Sequence, residues 1–173
     1  MASMFSWIAV RGRTPQDVLD EMGLADTGVA HSAGSSRLAG EALSEGWYVV
    51  VDYDVDPAGY VSKTRMLQQL SQGAEVVACY ESSYGPDSAA TGWWNGSQVW
   101  MVAHYCDSGT EPDHLEYEGE LPLVFDEILS DAQTEYAASE GEGCLAGVAV
   151  DLAAEMAGFR EDGIWDLTEL NQV

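Results

Sequence analysis

Residues 88–106 read S-A-A-T-G-W-W-N-G-S-Q-V-W-M-V-A-H-Y-C, two apolar runs separated by Asn95 and Gly96. Asn and Gly accept positive φ at both central positions of a type I′ turn, so the pattern predicts a tight β-hairpin. A two-residue turn fixes the register. Trp94 then faces Ser97, Trp93 faces Gln98, Gly92 faces Val99 and Thr91 faces Trp100. Alternation places Trp93, Thr91, Trp100, Val102 and His104 on one face, and Trp94, Val99, Met101, Ala103 and Tyr105 on the other. Both faces are largely apolar. Either both are covered, or one is covered and one is a docking patch. The general burial habits of aromatics favour tryptophans in the core.

The same patterning organises the rest of the chain. Residues 5–10 predict a short apolar strand. Thr14 suits an N-cap and Pro15 the first helical position, with Asp17 in the first turn, Val18, Leu19 and Met22 as the apolar stripe, and Gly23 as the stop. Residues 24–46 are ambiguous, with a loop at 33–36 and a short turn of helix at 37–44. Residues 47–53 (W-Y-V-V-V-D-Y) predict a strand ended by Pro57, Ala58 and Gly59. Ser62 suits the cap of a helix over 63–72, closed by Gly73. Residues 75–80 carry a continuous apolar run that suits a central strand. A short strand at 115–117, a helix from Pro122 to about residue 138, and a small apolar helix over 145–157 stopped by Gly158 follow. From about residue 160 the chain is acidic, with Ile164, Trp165, Leu167 and Leu170 available to dock. The order predicts a single α+β domain over residues 1–173. Its antiparallel or mixed sheet has the Trp-rich hairpin at its centre and helices packed on it.

Composition changes the picture in one respect. The chain has 30 acidic and only 6 basic residues, a net charge of −24. Nucleic acid and anionic membrane surfaces are therefore excluded as expected partners, because both need clustered Lys and Arg. A basic protein partner is favoured, since opposite fields speed encounter. The competing reading is that the charge serves solubility or tolerance of high salt alone. A homodimer stays open. No apolar segment reaches the length of a membrane span, and the first ten residues lack the basic lead of a secretory signal. Cys79, Cys106 and Cys144 are scattered and odd in number, which suits reduced thiols in a cytoplasmic protein.

Candidate chemistry is sparse. Asp52, Asp54 and Asp56 alternate, so their carboxylates share one face. A calcium loop is not satisfied, because Pro57 stands where the turn glycine belongs and Lys63 where the bidentate glutamate belongs. The face is either solvated or a contact for a basic partner. His104, Cys106 and His114 are metal-capable types, but no C-x-x-C or H-E-x-x-H spacing accompanies them. His31 lies in a polar loop and reads as exposed. There is no P-loop, G-x-G-x-x-G or G-x-S-x-G motif, and no cofactor or catalytic residue is expected.

Residues 46–50 (G-W-Y-V-V), 70–79 (L-S-Q-G-A-E-V-V-A-C) and 94–100 (W-N-G-S-Q-V-W) resemble stretches of small bacterial proteins whose acidic members look like immunity proteins, which neutralise a toxin. The resemblance spans roughly half of the chain, implies a role by protein–protein binding and transfers no site residues. The expected function is that of an acidic inhibitor or immunity-type protein that occludes the site of a basic toxin or enzyme. Its expected contacts are Asp52, Asp54, Asp56, Trp93, Trp100, Asp107, Glu111 and Asp113, within which the loop 107–120 is prominent. The alternatives are a metal- or thiol-dependent enzyme using His104, Cys106 and His114, and a nucleic-acid mimic.

Overall fold

The computed structural model describes residues 4–33, 35–53, 63–82, 87–106 and 111–173. In chain order the elements are β1 (Met4–Arg11), α1 (Pro15–Met22), β2 (Leu24–Ala30), β3 (Leu38–Ala42), β4 (Trp47–Asp52), α2 (Thr64–Leu70) and β5 (Glu75–Ser82). The hairpin strands β6 (Asp87–Trp94) and β7 (Ser97–His104) follow, then β8 (Glu116–Gly119), α3 (Phe125–Ala138), α4 (Gly147–Ala157) and β9 (Thr168–Gln172). The strands form one nine-stranded sheet in the order β2-β9-β3-β4-β1-β5-β6-β7-β8. Every pairing in it is antiparallel. The architecture is α+β, as the element order predicts.

Helices cover both faces of the sheet, which explains the unbroken apolar runs. On β1, Ile8 and Val10 face α1 and α2, while Trp7 and Ala9 face α3 and α4. Val50 and Val76 join the first core; Val49, Val51 and Val77 join the second. A strand buried on both sides has no polar alternation to show.

Local chemistry sets α1. Thr14 accepts the Asp17 N–H at 3.1 Å, and the Asp17 carboxylate accepts the Thr14 hydroxyl at 2.7 Å. The side chain of Asp17 also takes the Thr14 backbone N–H, completing a capping box. Gly23 ends the helix at φ 66°, in the left-handed region. In α2, Lys63 occupies the N-cap without a side-chain hydrogen bond. The expected cap Ser62 lies outside the described residues.

Four expectations are corrected. Residues 37–44 contribute the strand β3 rather than a helical turn, because β3 is paired on both sides, by β4 and β9. The hairpin is not central: β1 holds the middle of the sheet, and β6 and β7 lie towards one edge. The hairpin register holds at Trp94–Ser97 and Trp93–Gln98, then shifts so that Gly92 faces Trp100 and Thr91 faces Met101. Val99 is the extra residue of a β-bulge. A Cβ at position 92 would stand 2.0 Å from the Trp100 Nε1, so only glycine lets that indole lie against β6. The bulge sends Trp93 and Trp100 to opposite faces, into different cores. Finally, the acidic segment from about residue 160 enters the sheet as β9, with Leu167 and Leu170 buried, but Ile164 is fully exposed.

Candidate functional site

On the face that carries α1 and α2, the helices cover the sheet only as far as β5 and the Trp93 end of β6. Beyond them lies a hollow of about 300 Å³. Its floor is made by the small residues Ala78, Ala89 and Thr91 on neighbouring strands. Its walls are the larger Tyr80, Trp93 and Tyr105, closed on the helix side by Thr64 and Leu67 of α2. Small side chains in the middle and aromatic ones at the border make the concavity, which suits an inserted apolar or aliphatic group. Met101 and Ala103 continue the same face towards β8.

The walls are held in place. The Trp93 Nε1–H donates to the Thr91 hydroxyl at 2.9 Å. The turn of the hairpin is tied to the end of α2. The Asn95 N–H donates to the Ser71 carbonyl at 2.8 Å, the Gly96 N–H to the Ser71 hydroxyl at 3.0 Å, and the Gly73 N–H to the Asn95 side chain at 3.0 Å.

The rim is acidic on the side of the sheet edge. Glu116 and Glu118 of β8 are exposed and stand opposite Ala103 and Met101. The Gln98 amide reaches Glu118 at 3.4 Å. Burial pushes the Tyr105 phenol above its ordinary value, and the negative charges of Glu116 and Asp87 push it further the same way. Lys63 and Arg65, exposed on either side of Thr64, give the helix side the opposite sign. Burial drives the Cys79 thiol far above the usual range, so its sulfur is a poor nucleophile.

The residues expected at a contact fall in different places. Asp52 is fully buried, and Arg37 grips it with Nε at 2.8 Å and Nη2 at 2.9 Å. Trp100 is 5% exposed, inside the α3–α4 core. Neither offers contact surface, which corrects both expectations. Trp93 is also buried, and it serves as a wall of the hollow. Glu111 and Asp113 are exposed. Asp54, Asp56 and Asp107 lie outside the described residues. Among the described residues, the exposed aromatic groups are Trp94, Tyr105 and Tyr117. The hairpin pattern put Trp94 and Tyr105 on one face; the bulge at Val99 separates them, so Tyr105 shares the face of Trp93 and Trp94 takes the other.

His104, Cys106 and His114 do not converge on a metal. His104 is buried and donates its Nδ1–H to the His114 carbonyl at 2.6 Å, while the His114 ring turns to Glu116 at 3.3 Å. Among the described residues, no group of three or more His, Cys, Asp or Glu side chains is placed to hold a metal ion.

A larger groove, about 690 Å³, lies at the far end of β3 and β4. Arg37 and Glu161 both line it, and His31 stacks on Tyr53 with ring centres 4.9 Å apart. His31 is therefore half-buried rather than exposed. With Arg37 committed to Asp52 and Glu161 also in the lining, this groove shows no single-signed field.

Among the described residues, no helix is long and apolar enough to cross a membrane. No protein-family model, curated protein or solved structure matches the chain.

Proposed function

We propose that this chain is a binding protein whose partner is a basic protein, seated on the hollow between α2 and the β8 edge. One observation carries the reading: an apolar hollow lies beside the exposed carboxylates of Glu116 and Glu118 on β8, on a chain of net charge −24. The field steers a cationic partner, and an apolar side chain entering the hollow anchors it. Lys63 and Arg65 on the helix side repel a uniformly basic surface, so they orient the partner with its cations towards β8.

The finer form of this reading is an inhibitor or immunity-type protein of the bacterial cytoplasm that occludes the site of a basic toxin or enzyme. It is supported by the resemblance at residues 46–50, 70–79 and 94–100 together with the acidity.

The test is affinity capture from the host lysate with two baits, the native chain and a Glu116→Lys/Glu118→Lys variant. A basic protein held by the native bait, lost as salt rises and absent from the variant, is the expected result. Equal capture by both baits would place the contact elsewhere.

A further inference from the structure

We infer that the partner is held by strand addition, with an extended basic segment pairing along the outer edge of β8; this rests on the basic-partner reading above. β8 ends the sheet, and all four of its residues are exposed. The Glu120 N–H donates inward to the Val99 carbonyl at 2.9 Å. Backbone direction alternates along a strand, so Glu118 and Glu116 also pair inward with β7. Tyr117 between them then turns its N–H and C=O groups outward, away from the sheet. Gly119, at φ 87°, leaves strand geometry and ends that edge.

The side chains fit an occupant of one sign. Glu116 and Glu118 project to the face of the hollow, and Tyr117 projects to the other, where its ring meets Phe125 at 5.0 Å. A strand laid against β8 places its alternate residues beside the two carboxylates. Lys or Arg at those positions satisfies them, and Asp or Glu does not. A second copy of β8 would set Glu116 and Glu118 against their own counterparts, so the charge selects against self-pairing.

The opposite edge is built differently. In β2 the Gly28 N–H is taken by the Asp26 side chain at 2.8 Å, and the Val29 N–H by the Thr27 hydroxyl at 3.1 Å. The β2 register is also irregular between Asp26 and Ala30. Two amides of that edge are turned to side chains of their own strand, whereas β8 keeps an unbroken register with β7 and turns the Tyr117 backbone outward.

The probe is a synthetic peptide alternating Lys with Val and Thr, compared with the same peptide N-methylated at alternate residues. N-methylation keeps the charge, removes the N–H donors of one edge and sets methyl groups in the way of a paired strand there. The full chain is titrated with each, and amide exchange is followed residue by residue. The unmodified peptide should bind about tenfold tighter than its methylated form and slow exchange at Tyr117 by a similar factor. Tyr117→Ala, which keeps the backbone amide, should retain binding, and Tyr117→Pro, which loses the outward N–H, should not. Equal binding of the two peptides, without protection at Tyr117, would overturn strand addition while leaving the basic-partner reading standing. No binding of either peptide at low salt would overturn the basic-partner reading itself. Protection of Tyr117 that grows with protein concentration alone would identify a second copy as the occupant and overturn the proposal.

Discussion

At the scale of single residues, three positions carry more than their surroundings suggest. Gly92 is required by Trp100, whose indole occupies the space a Cβ would need. Gly92→Ala should destabilise the fold by about 3 kcal/mol, read from chemical denaturation, because the indole has packed neighbours and little room to retreat. Tyr48 is the opposite case. Its hydroxyl is buried with no hydrogen-bond partner among the described residues. Tyr48→Phe should therefore be neutral or stabilising by about 1 kcal/mol at neutral pH, since it removes an unsatisfied polar group. Burial, with Asp26 adding to it, pushes the Tyr48 phenol up to about 12 from 10.0. The folded state prefers the neutral phenol, so this contribution is intact below the unfolded value. It is lost as pH climbs from there through the folded value, and Tyr48→Phe should flatten that alkaline slope. Arg37 answers a fully buried carboxylate, though its own side chain is 44% exposed. Arg37→Ala should cost about 2 kcal/mol, above the usual exposed pair, because the Asp52 charge stays inside.

At the scale of elements, α2 is the shortest α-helix among the described residues. It is seven residues long, with Lys63 at its N-cap and Arg65 in its first turn, both against the positive end of the helix dipole. Lys63→Asp supplies both a cap and the favourable sign, and should raise stability by about 1 kcal/mol in thermal melts. The native cations at this end make sense as orienting charges beside the hollow. What was legible in the sequence follows from how local each determinant is. The Asn95-Gly96 turn, the Thr14 cap and the Gly23 and Gly158 stops depend on neighbours within a few residues, and each appears where the pattern puts it. The Val99 bulge depends on Trp100 packing against a glycine of the facing strand, which alternation cannot anticipate. Strand β3 depends on a partner far along the chain. Asp52 continues an acidic alternation in the sequence, yet Arg37 draws it inside. The hollow lies where α2 meets the sheet beside Thr64 and Leu67, and its floor of Ala78, Ala89 and Thr91 had no signature except small size.

At the scale of the whole molecule, charge and pH act together. Burial raises the Glu81 carboxyl above its ordinary value, and the neighbouring Glu161 and Asp162 charges add to the shift. Burial likewise raises Glu41. Both groups hold a proton more tightly when folded, so their contribution is complete below their unfolded values and fades as pH rises through the folded ones. Asp17 opposes them: hydrogen bonds from Thr14 hold its carboxyl low, so its contribution is present above the ordinary value and lost in stronger acid. The −24 charge also repels itself less as carboxylates protonate. Calorimetry from about pH 8 down to about pH 5 should show the melting temperature rising, and added salt should raise it most at the alkaline end. A melting temperature flat in both would show that this charge is already neutralised locally.

The place of β9 has a further consequence, in time rather than space. It lies between β2 and β3, and the Thr168 hydroxyl bonds the Gly40 carbonyl across 128 residues of chain. During synthesis, one side of β3 waits unpaired until residues 43–167 have left the ribosome. Nothing next to β2 in the finished sheet is available sooner. Closure of such distant pairs is slow. The waiting chain is a template for mispairing, so the yield of active protein should depend more on translation speed and temperature around this segment than its equilibrium stability would suggest.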